Sequence, residues 1–167
     1  ISAEDATFFE HGGVNYFSIL RAAIANLRAG HTVQGGSTIT QQVAKSFLLS
    51  PERTLTRKAK EFLLAHKIES NLSKEQILFL YLNQIYLGQG SYGVDVAAEN
   101  YFRKDVSSLT LAEAALLAGL PQAPTRYSPI HNPVRAKERQ RYVLSRMAEN
   151  HFITKEEAQK AADRKST

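Results

Sequence analysis

Ser73-Lys74-Glu75-Gln76-Ile77-Leu78-Phe79-Leu80-Tyr81-Leu82-Asn83-Gln84-Ile85-Tyr86 is the stretch whose reading decides the fold. A serine followed three residues later by a glutamine is a capping-box signature, in which each side chain satisfies the other residue's backbone N–H at a helix start. The spacing predicts a helix through Tyr86. Within it, Ile77 to Leu82 is apolar all round, the pattern of a buried central helix, and Asn83-Gln84 forms a polar exit that can touch a cleft.

The signature recurs downstream. Thr110 with Glu113 opens a helix ending at Gly119, and Thr154 with Glu157 opens the last one. Asn132-Pro133 starts a helix to about Asn150, because proline at the first helical position loses no needed donor. Upstream, Asn15 caps a helix running to Ala29 with Gly30 as its stop, and Gly35-Gly36 is the hinge before a helix starting near Ser37 or Thr38. A third helix covers residues 54–71. Strand alternation is nearly absent, so the reading is one all-α domain of about seven to nine helices, with Leu120 to Pro129 as its longest loop.

The chain has 167 residues, no cysteine and a formal net charge of +5. That length buries a sizeable core without covalent staples. Lack of cysteine excludes disulfides and thiolate metal sites. The five histidines show no metal-ligand spacing, so no bound transition metal is expected. The positive charge favours an anionic partner such as nucleic acid, a phospholipid surface or a phosphorylated substrate, and position must decide among them. No run of about 18 apolar residues can span a bilayer. Because the chain begins at Ile1, it reads as excised, with any signal or anchor upstream.

Three segments carry chemistry. Residues 4–13, Glu4-Asp5-Ala6-Thr7-Phe8-Phe9-Glu10-His11-Gly12-Gly13, set acids and a histidine beside paired aromatics, and desolvation of a glutamate against rings suits it to general acid–base work. Gly35-Gly36-Ser37-Thr38-Ile39-Thr40-Gln41-Gln42 crowds hydroxyls and amides at a helix start, where N–H groups attract anions. Simple capping by Ser37 or Thr38 would leave two consecutive glutamines unexplained. Then come Lys45, Arg53, Arg57, Lys58 and Lys60 before Glu61. Arg57, Lys58 and Glu61 share a helix face that continues through Leu64, Ile68 and Leu72, and charges in an apolar stripe call for pairing or a cleft. Separately, Phe17, Leu20, Ile24 and Leu27 form a stripe edged by Arg21 and Arg28, which either packs into the core or meets lipid headgroups.

In order, these segments closely resemble the glycosyltransferase domain of class A penicillin-binding proteins and monofunctional peptidoglycan transglycosylases. The motifs are Glu4-Asp5 through Phe8, His11 and Gly13; Gly36 to Gln42; Arg57-Lys58 with Glu61; Lys74, Ile77-Leu78 and Tyr81-Leu82-Asn83; and Arg139 or Arg141 with Val143-Leu144. Only the fifth departs, with Arg139-Gln140-Arg141 where paired arginines are expected.

The resemblance implies a lysozyme-like helical fold with a large lobe, a small membrane-touching jaw and a groove between them. It implies one glycosyltransferase domain over residues 1–167, with an N-terminal anchor and perhaps a transpeptidase domain lying outside it. The implied activity is inverting polymerisation of lipid II into β-1,4-linked glycan, with release of undecaprenyl pyrophosphate, on the outer face of the bacterial cytoplasmic membrane. Glu4 is then the general base, and Glu61, the second catalytic residue, orients basic neighbours or the donor rather than taking the proton. Ser37, Gln41, Gln42, Lys45, Arg53, Lys58 and Asn83 line the donor side. The implied partners are lipid II, the growing lipid-linked strand, the membrane and the inhibitor moenomycin, with no nucleic acid. No tightly bound cofactor is implied, although magnesium or manganese can sit at the pyrophosphate. Two other readings are a glycan-cleaving lytic enzyme, which leaves the basic cluster unexplained, and a basic helical module for nucleic acid or anionic membrane, supported by charge alone.

Overall fold

Eight α-helices and one short 3-10 turn make up the regular structure among residues 1–30, 35–48 and 54–163, the part described by this computed structural model. They are α1 (Tyr16–Ala29), α2 (Ile39–Phe47), α3 (Leu55–Asn71), α4 (Lys74–Gln84), α5 (Val94–Phe102), α6 (Leu111–Gly119), α7 (Pro133–Glu149) and α8 (Lys155–Asp163), with the 3-10 turn at Val106–Ser108. No strand occurs among the described residues, where pairing is confined to one antiparallel bridge between Tyr86 and Tyr92. The all-α expectation holds, and α5 is the helix that its sequence did not announce: its N-cap, Gly93, makes no side-chain cap bond.

The capping boxes do what their spacing predicts. Thr110 with Glu113 closes the start of α6, and Ser73 pairs with Gln76 before α4; Thr38 closes the start of α2 with a partner, Gln41, that the sequence reading does not assign to it. Thr54 caps α3 by accepting the Arg57 N–H, and Gly30 ends α1 with a left-handed φ of 68°.

Two compact units divide the chain, one comprising Ala3–Tyr81 and the other running from Leu82 onward. In the first, α2 packs on α3, and Phe8, Ile39, Val43, Ala65 and Ile77 are buried. In the second, α6 packs on both α5 and α7, and α8 packs on α7. Leu87, Ala97, Ala98, Leu117 and Leu120 form the core there, with Ile85, Tyr101 and Tyr127 against it. Gly119 ends α6 where Arg139 crosses: an added Cβ would lie 2.8 Å from Arg139 Cγ, so the bare backbone lets the two helices approach.

Two expectations about α4 are corrected. The helix stops at Gln84, because Ile85 O accepts the Gly93 N–H and Tyr86 bridges to Tyr92. Nor is it buried all round. Ile77 and Tyr81, one turn apart, are buried, while Phe79 is 66% exposed. A run that is apolar on every side needs neighbours on every side, and the described chain supplies them on one.

The stripe on α1 likewise stays out of the core: Phe17 is 88% and Leu27 85% exposed, and the helix buries Ala22 instead. The fifth-motif departure has a structural reason. Gln140 is fully buried and donates from Nε2 to Ala112 O at 2.6 Å, tying α7 to α6, and Arg139 Nε donates to Gly119 O at 3.3 Å. An arginine at position 140 would bring a charge into that contact.

Glu113 ties three features together. Its carboxylate accepts from Thr110 N at 2.8 Å, Thr110 Oγ1 at 2.9 Å and Lys104 Nζ at 2.7 Å. Burial pushes its pKa up, but the Lys104 and Thr110 hydrogen bonds and the Lys104 charge outweigh that and hold it below the ordinary glutamate value. A folded pKa below the unfolded one contributes stability above the unfolded pKa, which is lost as pH falls through the folded value. The stability advantage of the native chain over Glu113→Gln, measured by urea unfolding, is therefore expected to be full near neutrality and to shrink below about pH 4.3.

Candidate active site

The site begins with a segment that forms no helix. Residues 1–15 fold as turns, with Asp5 N–H donating to Ile1 O and Phe8 N–H to Asp5 O. Such a segment needs anchors. The first is Asp5, 6% exposed, whose Oδ2 accepts the Ile39 N–H in the first turn of α2 at 3.1 Å. Both carboxylate oxygens also meet His11 Nε2, at 2.9 and 3.0 Å. Since a carboxylate only accepts, Nε2 carries the proton in this pair. The second anchor is Thr38, whose hydroxyl accepts from Gln41 N and donates to Gly13 O at 2.6 Å.

Gly13 is needed at that crossing. Its φ of 77° is left-handed, and a Cβ would lie 3.0 Å from Glu69 Cγ and 3.2 Å from Ala65 O.

A third anchor comes from α3 and α4. Lys74 Nζ donates to His11 O at 2.6 Å and to Glu69 Oε1 at 2.7 Å, and lies 4.5 Å from the centre of the Phe8 ring. Thr40 Oγ1 donates to the same Glu69 oxygen at 2.6 Å. Sequence reasoning missed Glu69. Its signal was the i,i+4,i+8 series Glu61, Ala65, Glu69 on the inner face of α3, where Glu61 and Ala65 are buried; the expected stripe through Leu64 and Ile68 only flanks it.

On this frame sit the candidate residues. Glu4 Oε2 accepts from Gln42 Nε2 at 3.3 Å. Lys58 Nζ donates to Ser37 Oγ at 3.1 Å and to Glu61 Oε1 at 2.5 Å, and the Glu61 side chain is only 4% exposed against 51% for Lys58. The structure thus brings together Glu4 with Gln42, and Ser37 with Lys58 and Glu61. Gln41 is accounted for differently: its Oε1 accepts the Thr38 N–H at 3.0 Å and the residue is buried, so capping explains this glutamine and not Gln42. Lys45 is exposed in the last turn of α2. Arg53 lies outside the described residues. Asn83 belongs to the second unit.

The expected desolvation of Glu4 by two rings is not what the aromatics do. Phe9 is half-exposed, and the Phe8 ring faces Phe9, His11 and Lys74. Beside Glu4 and Asp5 stands Tyr81 instead. Burial first, then the charges of those two acids, push its phenol well above the ordinary tyrosine range, so it remains a neutral donor. Its hydroxyl is buried with no hydrogen-bond partner among the described residues.

Comparison with known proteins places this arrangement. The transglycosylase family matches residues 1–148. Penicillin-binding protein 1A of Neisseria flavescens is 57% identical over 161 residues, covering 96% of this chain and 20% of that protein. The Aquifex aeolicus protein of the same name is 54% identical over 167 residues, covering 100% of this chain and 23% of the relative. The chain thus spans about a fifth of the length of these relatives. Among solved structures, penicillin-binding protein 1A from Haemophilus influenzae superposes with a TM-score of 0.55 at 38% identity, over 76% of this chain and 16% of that one.

The Lys58–Glu61 pair yields a stability test. Lys58→Met leaves the Glu61 carboxylate buried without its cation and is expected to cost about 1–3 kcal/mol in urea unfolding. Adding Glu61→Gln removes the stranded charge and is expected to recover part of that loss, a coupling that a double-mutant cycle reads directly.

Proposed function

The chain belongs to the transglycosylase family and is a peptidoglycan glycosyltransferase domain, and from that premise we propose that it polymerises lipid II with inversion at the donor carbon. The observation that carries the reading is the unequal setting of the two acids. Glu61 is buried and committed to Lys58, whereas Glu4 is partly exposed and receives a hydrogen bond from the neutral Gln42 amide. An incoming hydroxyl can be met by Glu4 and not by Glu61.

In this scheme Glu4 takes the proton of the acceptor 4-hydroxyl as its oxygen bonds to the donor carbon. The bond from that carbon to the pyrophosphate breaks, and its electron pair leaves with undecaprenyl pyrophosphate. Lys58 and Lys45 supply positive charge to the leaving group, together with Arg53, and Ser37 and Gln42 contribute polar contacts. Gln41 acts from behind, by holding the α2 start. Glu61 fixes the Lys58 ammonium. Among the described residues no group of three His, Asp or Glu side chains converges to hold a metal ion; a magnesium or manganese ion brought with the substrate would add positive charge at the pyrophosphate. Moenomycin is the inhibitor expected to compete on the donor side.

The substrate is a membrane lipid, and α1 offers a face for it. Phe17, Leu20, Ile24 and Leu27 are exposed, and a recess there is also lined by Arg21 and Arg28. Guanidinium groups at the edge of such a face can reach phospholipid headgroups while the apolar side chains enter the acyl boundary. No described helix is long and apolar enough to cross a membrane. In the proposed reading α1 lies in the interface of the cytoplasmic membrane, on its outer face.

Two outcomes test the proposal. Glu4→Gln keeps shape and removes the base, so lipid II polymerisation on a gel should fall by about 10²–10⁴ with moenomycin binding retained, and Glu61→Gln should cost less. Substantial activity in Glu4→Gln would overturn the assignment. In flotation with anionic liposomes, the chain should rise with the vesicles and Arg21→Glu with Arg28→Glu should abolish this; binding indifferent to both changes would count against the α1 face.

A further inference from the structure

The hydroxyl of Tyr81 serves neither the packing nor the reaction described above. The ring is buried on α4, 7% exposed, and the hydroxyl, buried with it, meets no hydrogen-bond partner among the described residues. A phenylalanine would fill nearly the same space without leaving a buried donor unpaired, which destabilises a fold. Such a group calls for a partner.

The course of the helix narrows the choice, and does so within the first unit alone. Lys74, Ile77 and Tyr81 lie three and four residues apart and share one face of α4. At one end of that face Lys74 Nζ donates to His11 O and lies over the Phe8 ring. Ile77 follows, fully buried. Two turns on from Lys74, Tyr81 stands beside Glu4 and Asp5, whose charges act on its phenol. This face of α4 therefore runs along the irregular N-terminal segment and ends at its two acids. Because the phenol stays neutral, it can only be of use to them as a donor.

What each acid already does decides between them. Asp5 is buried, with His11 Nε2 on both of its oxygens and the Ile39 N–H on Oδ2. Its orientation is spent on holding the start of α2. Glu4 is partly exposed, and Gln42 Nε2 reaches it at 3.3 Å, beyond the usual N–H···O distance. An ionised carboxylate offers about four lone-pair positions, so it can accept from a phenol as well as from an amide.

We propose that Tyr81 is the positioning residue for Glu4: a turn of the Glu4 side chain sets one carboxylate oxygen on the Tyr81 hydroxyl and leaves the other directed at the incoming acceptor hydroxyl. The assignment rests on the reading of Glu4 as the base. Tyr81 is too buried to touch substrate and acts through the carboxylate alone. Its hydrogen bond fixes the direction of that group and favours the ionised form, so Glu4 remains a base to lower pH. The other groups facing Glu4 are Asp5 with His11 behind it, the Ile1 amino group and, from α2, the uncharged Gln42 amide.

The test is Tyr81→Phe, which removes one oxygen and none of those groups. In a lipid II assay kcat should fall about tenfold or more with KM little changed, and the acidic limb of the pH–rate profile should move to higher pH. Carbon-13 NMR of side-chain carboxyls, with Glu4 assigned from Glu4→Gln, should show Glu4 titrating at higher pH in the variant. The native chain gives a check that needs no change at Tyr81: its ring Cζ resonance should follow the Glu4 titration, and that step should vanish in Glu4→Gln. Native kcat and pH profile in Tyr81→Phe, a raised KM with kcat unchanged, or a Cζ resonance indifferent to Glu4 would each overturn the proposal. Failure of the base assignment looks different. Full polymerisation by Glu4→Gln would sink that assignment while the two NMR titrations still reported the bond.

Discussion

The N-terminal turn of α2 is the constraint on which the rest of the first unit depends. A helix start leaves backbone N–H groups without partners inside the helix, and here they are shared among distant parts of the chain. Asp5 takes the Ile39 N–H, Thr38 takes that of Gln41, and Gln41 returns a bond to Thr38. Because Thr38 also donates to Gly13 O, both ends of the irregular segment 5–13 are tied to the same turn. Glu4 lies next to one tie, and Gln42, its hydrogen-bond donor, lies next to the other. The Glu4 carboxylate is positioned by a segment with no regular structure because a helix terminus gives that segment fixed acceptors and donors.

Two lysine–glutamate pairs serve this frame in different ways. Lys74 with Glu69 is largely buried and reaches across to the His11 carbonyl, joining α3 and α4 to the N-terminal segment. Lys58 with Glu61 is half open, the carboxylate buried and the ammonium accessible. Burying an ion pair brings little net stability, since desolvation offsets the attraction. What the first pair supplies is a defined register, and what the second supplies is an accessible positive charge held by a buried carboxylate. In the proposed reaction the acid–base and electrostatic roles fall to residues on different elements, with α2 as their common reference.

The second unit is organised by a different principle. Its core is built from small and aliphatic side chains of α5, α6 and the segment before α5, and α7, which buries Ala136, Val143 and Leu144, adds one buried amide, Gln140, and one stacked guanidinium, Arg139. Polar groups there specify how α7 sits on α6, which aliphatic packing alone would leave free to slide. This accounts for a glutamine between two arginines without any appeal to catalysis.

Helix starts were legible in the sequence wherever a cap is a local contract: Ser73 with Gln76, Thr110 with Glu113 and Thr154 with Glu157 are each closed by residues three apart, and the chain needs no tertiary contact to honour them. The all-α class and the pairing of Lys58 with Glu61 follow from the same short range. Covering was not legible. Phe79 and the stripe on α1 are apolar by sequence, but whether an apolar side chain is buried depends on which other elements reach it. The division of labour between Gln41 and Gln42, the passage at Gly13, and the link from Glu69 through Lys74 to His11 join residues far apart in the chain. Only the folded chain decides them, because hydrogen-bond geometry between remote segments is set by where their helices pack and not by their spacing in sequence.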